Sequence, residues 1–208
     1  MQPLFFAGGS LKVTNYNNFL IIRPSFCVGI CVGLLLLPMQ WVLAWFLASA
    51  IHEFGHLLLL KLLKIPVLRI TLNLNGTYIE TGYMSPMREL FSALAGPLAG
   101  FFCIFASSCF PFLAICGFAL SVYNLLLLPN FDGGRAVLIL LQLLLPEERA
   151  ETAYKWVIFA QSLALILTGI YLWRIWKLGV LMLLACIWPI IKCCIIKIPC
   201  KHRKQIVQ

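Results

Sequence analysis

Aspartate occurs once in this 208-residue chain, at Asp132, and acidic residues total seven against sixteen lysines and arginines. Charged side chains make up 11% of the residues and hydrophobic ones 62%, which excludes an ordinary soluble domain of this length. The nine cysteines include no Cys-x-x-Cys pair, so neither a thiolate cluster nor a redox dithiol is read from them. Cys27, Cys31, Cys103, Cys109, Cys116 and Cys186 fall in or beside apolar runs, where a thiol packs as a small hydrophobe. Cys193, Cys194 and Cys200 stand at an expected membrane edge, as reduced thiols or as acylation sites. Basic residues interleaved with aromatics on a polar surface are also missing, which excludes nucleic acid as a partner. Residues 1–18 lack a basic region followed by an apolar core, so no cleavable signal peptide is read there.

What is present is hydrocarbon-spanning length. A helix needs about 20 apolar residues to cross a bilayer. Six such stretches are read, at roughly 19–38, 40–61, 89–109, 111–131, 154–174 and 177–196. The expected fold class is an all-α polytopic membrane protein with about six transmembrane helices. Residues 1–208 are read as one integral-membrane domain, with a core over 19–135 and accessory spans over 154–196. With six spans, the termini share a side with the 62–88 and 132–153 connections. That side carries fourteen basic residues against two, Arg174 and Lys177, on the other. The bias predicts cytoplasmic termini, and the net charge of +9 is largely a topology signal. The tail Lys201-His202-Arg203-Lys204 is expected against anionic headgroups of the lipid bilayer.

Inside the second stretch lies His52-Glu53-Phe54-Gly55-His56, which holds two of the three histidines. On a helix, residues i and i+4 share a face about 6 Å apart along the axis, so His52 and His56 can present two imidazoles to one zinc ion. Glu53 sits beside them as a proton carrier. Ionisable groups at that depth cost several kcal/mol unless something pairs with them. The bland alternative is a chance motif facing a water-filled crevice.

A catalytic zinc takes three protein ligands and leaves one position open. Asp132, at the end of the fourth stretch, matches the histidines in expected depth. Pro129, Gly133 and Gly134 break the helix around it, and irregular backbone at membrane depth is tolerated where it lines a cavity. Asp132 could instead cap the next helix.

HExxH in the second span and Asn-Phe-Asp-Gly-Gly-Arg, over 130–135, two spans later resemble the site-2 protease family of intramembrane zinc metalloproteases (peptidase family M50). Within it, the chain looks most like the sporulation group typified by stage IV sporulation protein FB. Arg23-Pro24, Ala95-Gly96-Pro97-Leu98 and Asn124, eight residues before the aspartate, extend the match from about Phe19 to Arg135. The sequence departs from the family at Asn130-Phe131, where a proline or small apolar pair is usual. The C-terminal CBS domain of the better-known sporulation enzymes is not expected either.

The resemblance implies an intramembrane zinc endopeptidase in a bacterial cell or sporulation membrane. His52, His56 and Asp132 would be the metal ligands and Glu53 the catalytic base. The implied substrate is a membrane-tethered protein, such as a sigma-factor precursor or another tethered regulator, cut near the cytoplasmic face. An inhibitory membrane protein is an implied partner. Asn124 could steady the substrate backbone or the oxyanion, or simply bond a neighbouring helix. Residues 67–81 alternate on both sides of Asn75-Gly76, a short-range hairpin signal. The free edge of such a hairpin can accept an extended peptide, which makes Asn75 and Gly76 candidate substrate-binding positions. Alternatively, the hairpin only links two spans. Gly96, Gly100 and Ala93 place small residues near one face of the third span and predict close helix packing, as does Gly55 in the second.

Two other readings compete. A metal transporter would need polar residues through the first, fifth and sixth spans, which offer little beyond Gln161, Ser162 and Thr168. A catalytically idle scaffold would be expected to have lost one of His52, Glu53, His56 or Asp132.

Overall fold

The computed structural model describes residues 19–73, 76–129 and 131–176. The expected sixth span, Asn75, and the cysteines and basic tail after 176 lie outside the described residues. The chain divides into two compact units, one ending at Val122 and the other beginning at Tyr123.

In the first unit, α2 (Met39–Leu62) sorts its residues by size. Ala44, Ala48, His52 and Gly55 are buried, at spacings of three and four that keep them on one face. Leu43, Trp45, Phe46, Leu47, Phe54 and Leu58 point outward. Small residues inside and large apolar ones outside is the pattern of a helix that meets its neighbours closely and meets lipid elsewhere. α3 (Pro86–Phe102), extended by a 3-10 turn over Cys103–Ala106, buries Ser92, Ala93, Gly96, Pro97 and Gly100. α4 (Pro111–Asn124) supplies Cys116 to a buried cluster with Ala44 and Ala48, flanked by Trp41, Phe112 and Leu113.

Among the described residues, three helices are long and apolar enough to cross a membrane: Met39–Leu62, Pro86–Ala106 and Glu147–Leu172. This chain is an integral membrane protein. The other expected spans differ in extent. The stretch 19–38 begins as a strand, β1 (Leu20–Ile22), and continues as a 13-residue helix, α1 (Pro24–Leu36). Pro24 starts that helix because its fixed φ and missing N–H suit the first helical turn.

The hairpin forms between β2 (Val67–Asn73) and β3 (Gly76–Thr81), and Gly76 pairs with Asn73 at a φ of +118°, a region open to glycine. Its surroundings depart from expectation, because β1 pairs in parallel with β2. β2 is therefore central in a three-stranded sheet of order β1-β2-β3. The join continues into α1, where Arg23 N–H donates to the Leu72 carbonyl over 3.0 Å and Ser25 Oγ donates to Asn73 Oδ1 over 2.6 Å.

In the second unit, the 132–153 connection contains a 13-residue helix, α5 (Asp132–Leu144), that was not read as a span. Its apolar residues lie on one side, with Ala136 and Ile139 buried. α6 (Glu147–Trp176) starts seven residues before the expected fifth span and packs on α5, with Ala150 and Tyr154 buried. The expected fourth span, 111–131, stops as a helix at Asn124.

Candidate metal centre

His52 and His56 lie at the fourteenth and eighteenth residues of the 24-residue α2. At about 1.5 Å per residue they sit roughly 9–15 Å from its C-terminal end, inside the apolar run. His52 is 4% exposed, while Glu53 and His56 are half-buried.

The two imidazoles turn their Nε2 atoms toward each other at 3.3 Å. His56 Nδ1 lies 2.7 Å from the Ser92 carbonyl oxygen of α3. A carbonyl can only accept, so Nδ1–H donates and the proton resides on that nitrogen. His56 Nε2 then faces His52 Nε2 as an acceptor. Two nitrogens bound to one zinc at about 2.0–2.1 Å, on adjacent corners of a tetrahedron, stand roughly 3.3–3.4 Å apart. The observed separation is that edge length. A histidine whose second ring nitrogen donates to a carbonyl is the usual arrangement around a protein-bound metal, because it fixes tautomer and ring direction together.

The backbone of α3 makes room for this pair. A Cβ on Gly55 would come within 2.6 Å of the Ala95 carbonyl oxygen and 2.6 Å of Ala99 Cβ, so the helices meet at that glycine. A Cβ on Gly96 would collide with His56 Nε2 and come within 2.7 Å of Cε1 and Cδ2. Sequence reasoning found the close packing at both glycines but missed the Ser92 carbonyl, because a main-chain acceptor leaves no side-chain signature.

In the second unit, Asp132 is the first residue of α5 and half-buried. Phe131, in extended conformation, is the N-cap residue, which corrects the reading of Asp132 as a cap. Before it the chain reverses: Leu126 N–H donates to the Tyr123 carbonyl, Phe131 N–H to the Leu128 carbonyl, and Arg135 N–H to the Phe131 carbonyl. The Tyr123 and Phe131 rings close the reversal edge to face at 5.0 Å. Gly133 lies against the Leu125 carbonyl and Gly134 against the Leu128 carbonyl, where any Cβ would overlap main-chain atoms. The Gly-Gly pair thus lets the loop fold onto the start of the helix that carries Asp132.

Asn124 is the last residue of α4 and half-buried. It was expected two helical turns before Asp132 on one span. An irregular segment separates them, and they belong to different helices. Gly76 is exposed at the hairpin end, while Asn75 lies outside the described residues.

His52 and His56 on α2 offer two ligand nitrogens in the first unit, and Asp132 offers a carboxylate at the start of α5 in the second. No protein-family model matches the sequence. No curated protein matches it either. Among solved structures, the chain is similar to the site-2 protease from Methanocaldococcus jannaschii, with a TM-score of 0.57 and 17% identity. The match covers 82% of this chain and 86% of that one. The chain has the fold of a site-2 protease.

Proposed function

We propose that this protein is an intramembrane zinc endopeptidase acting on a membrane-tethered protein. The observation that carries the reading is the 3.3 Å separation of the His52 and His56 Nε2 atoms, with the His56 proton placed on Nδ1 by the Ser92 carbonyl. The site-2 protease fold supports it. In this proposal His52 and His56 from the first unit and Asp132 from the second bind one zinc ion.

Zinc so held supplies Lewis acidity, lowering the pKa of water toward about 7 and polarising a peptide carbonyl. Glu53 accepts the proton of the attacking water and delivers it to the nitrogen of the leaving amine. Deprotonating the water makes it a nucleophile, and protonating the amine lets the C–N bond break. His56 keeps its own proton on Nδ1, so its ring stays oriented through the cycle. Asn124, at the end of α4, is proposed to steady the substrate backbone, and the hairpin to receive it as an extended strand. Because β1 covers one side of β2, the strand edge left for a substrate on the hairpin, among the described residues, is that of β3.

The position of His52 and His56 toward the C-terminal end of α2, which carries Lys61 and is followed by Lys64, supports cleavage near the cytoplasmic face. A tethered regulator, of the kind implied by the sporulation resemblance, is the proposed substrate.

Zinc analysis of detergent-purified protein tests the reading without a known substrate. The expected result is about one zinc per chain in the wild type and a much lower content in Asp132→Asn. Zinc-free wild type, or full retention in the variant, overturns it.

A further inference from the structure

Gly96 lies on α3, beneath the metal-facing edge of a histidine on α2. Its Cα hydrogen occupies the direction in which any other residue would carry a Cβ. That Cβ would fall closest to His56 Nε2, with Cε1 at 2.6 Å and Cδ2 at 2.7 Å. Nearly equal distances to the two carbons flanking Nε2 place the missing methyl over that end of the ring rather than over Nδ1. Real Cβ atoms essentially never come within 3.0 Å of such neighbours, so a larger residue must displace the imidazole.

The ring has no easy direction in which to yield. Its far end is held by the bond of Nδ1–H to the Ser92 carbonyl, one turn earlier on the same helix. Gly55, one residue before His56, holds the main chains of α2 and α3 in contact at the Ala95 carbonyl. Tilting the ring about the Ser92 bond swings Nε2 away from His52. Moving the ring bodily breaks the Ser92 bond and frees the tautomer. Either response removes the 3.3 Å relation between the two Nε2 atoms.

We infer that Gly96 is a positioning residue for His56: together with the Ser92 carbonyl it forms a seat on α3 that sets ring plane and tautomer, and thereby metal affinity. The inference rests on the proposed zinc site. It distinguishes Gly96 from Gly100, one turn further on, where a Cβ would meet Ser121 Oγ and the Gly117 carbonyl of α4. Gly100 serves helix packing alone.

The test compares purified wild type, Gly96→Ala and Gly100→Ala for binding of Zn2+ and Co2+ alone, with the Co2+ visible spectrum as the report on coordination. Gly96→Ala is expected to lose about 10–100-fold in metal affinity, as for loss of a group that orients a ligand, and to change the Co2+ spectrum. Gly100→Ala is expected to melt at lower temperature while keeping both. Equal affinity and an unchanged spectrum in Gly96→Ala overturn the inference. Should Gly96→Ala be too unstable to purify, thermal melting in a His56→Ala background decides. With the imidazole gone the three atoms nearest the added methyl are gone too, so adding Gly96→Ala to His56→Ala should lower the melting temperature less than adding it to the wild type. An equal loss in both backgrounds overturns the inference. Wild type that binds no metal would instead overturn the zinc reading beneath it.

Discussion

Gly55 of α2 is in main-chain contact with Ala95 of α3, so closely that a methyl on the glycine would stand 2.6 Å from the Ala95 carbonyl oxygen. The neighbour is backbone and cannot rotate aside. Gly55→Ala therefore forces the helices apart, in an overpacking that costs about 1–3 kcal/mol. That outweighs the gain of about 1 kcal/mol expected from replacing glycine by alanine in a helix. Thermal unfolding in detergent should show a lower melting temperature. An increase would mean that the two helices are not held at this distance.

Glu53 adjoins His52 but contributes no ligand to the proposed site. Glu53→Gln keeps the shape and removes the proton acceptor. Loss of a positioned general base lowers rate by about 10²–10⁴-fold. The variant should retain zinc while cleavage of a reporter with an unstable membrane segment falls by at least that factor. Cleavage at the wild-type rate would remove Glu53 from the chemistry.

Zinc should also act on folding. A ligand that binds only the folded state stabilises it by RT ln(1 + [L]/Kd), about 2.7 kcal/mol at one hundred times Kd. Adding zinc to metal-stripped protein should therefore raise its melting temperature, and His52→Ala or His56→Ala should abolish the rise. A rise that survives both variants would place the metal elsewhere.

The pairing of His52 with His56 was legible because it is local. Four residues of helix bring His52 and His56 to one face whatever surrounds them, and Gly55 and Gly96 announced close packing by their lack of side chains. The long apolar helices were legible for the same reason, since length and composition suffice. What the sequence hid depended on distant chain. β1 is a three-residue strand whose place is set by pairing with Ile70–Leu72, 50 residues further along the chain. α5 was read as a connection because its apolar run is too short to span a membrane, although Leu145-Pro146 marks its end. The Ser92 carbonyl under His56 is main chain, and no residue type encodes it. Asn124 was placed on one helix with Asp132 because an unbroken run of leucines, 125–128, reads as helix until the glycines fold it back.

Gly133 and Gly134 make the sharpest case, because two effects of opposite sign compete there. Both lie in the first turn of α5, where alanine is by propensity the better residue by up to about 1 kcal/mol. Both also face main-chain carbonyls, of Leu125 and Leu128, that a Cβ would overlap, and Gly134 faces the Tyr154 hydroxyl as well. The carbonyls move only if the reversal before Asp132 opens. Steric exclusion by backbone should dominate propensity, so Gly133→Ala and Gly134→Ala should each lower the melting temperature. In the proposed site each should also lower zinc content, since Asp132 stands on the turn that shifts. Thermal unfolding and zinc analysis on the same preparations separate the two claims. A raised melting temperature would show that the loop does not fold onto α5, and a lowered one with full zinc content would show that Asp132 does not carry the metal.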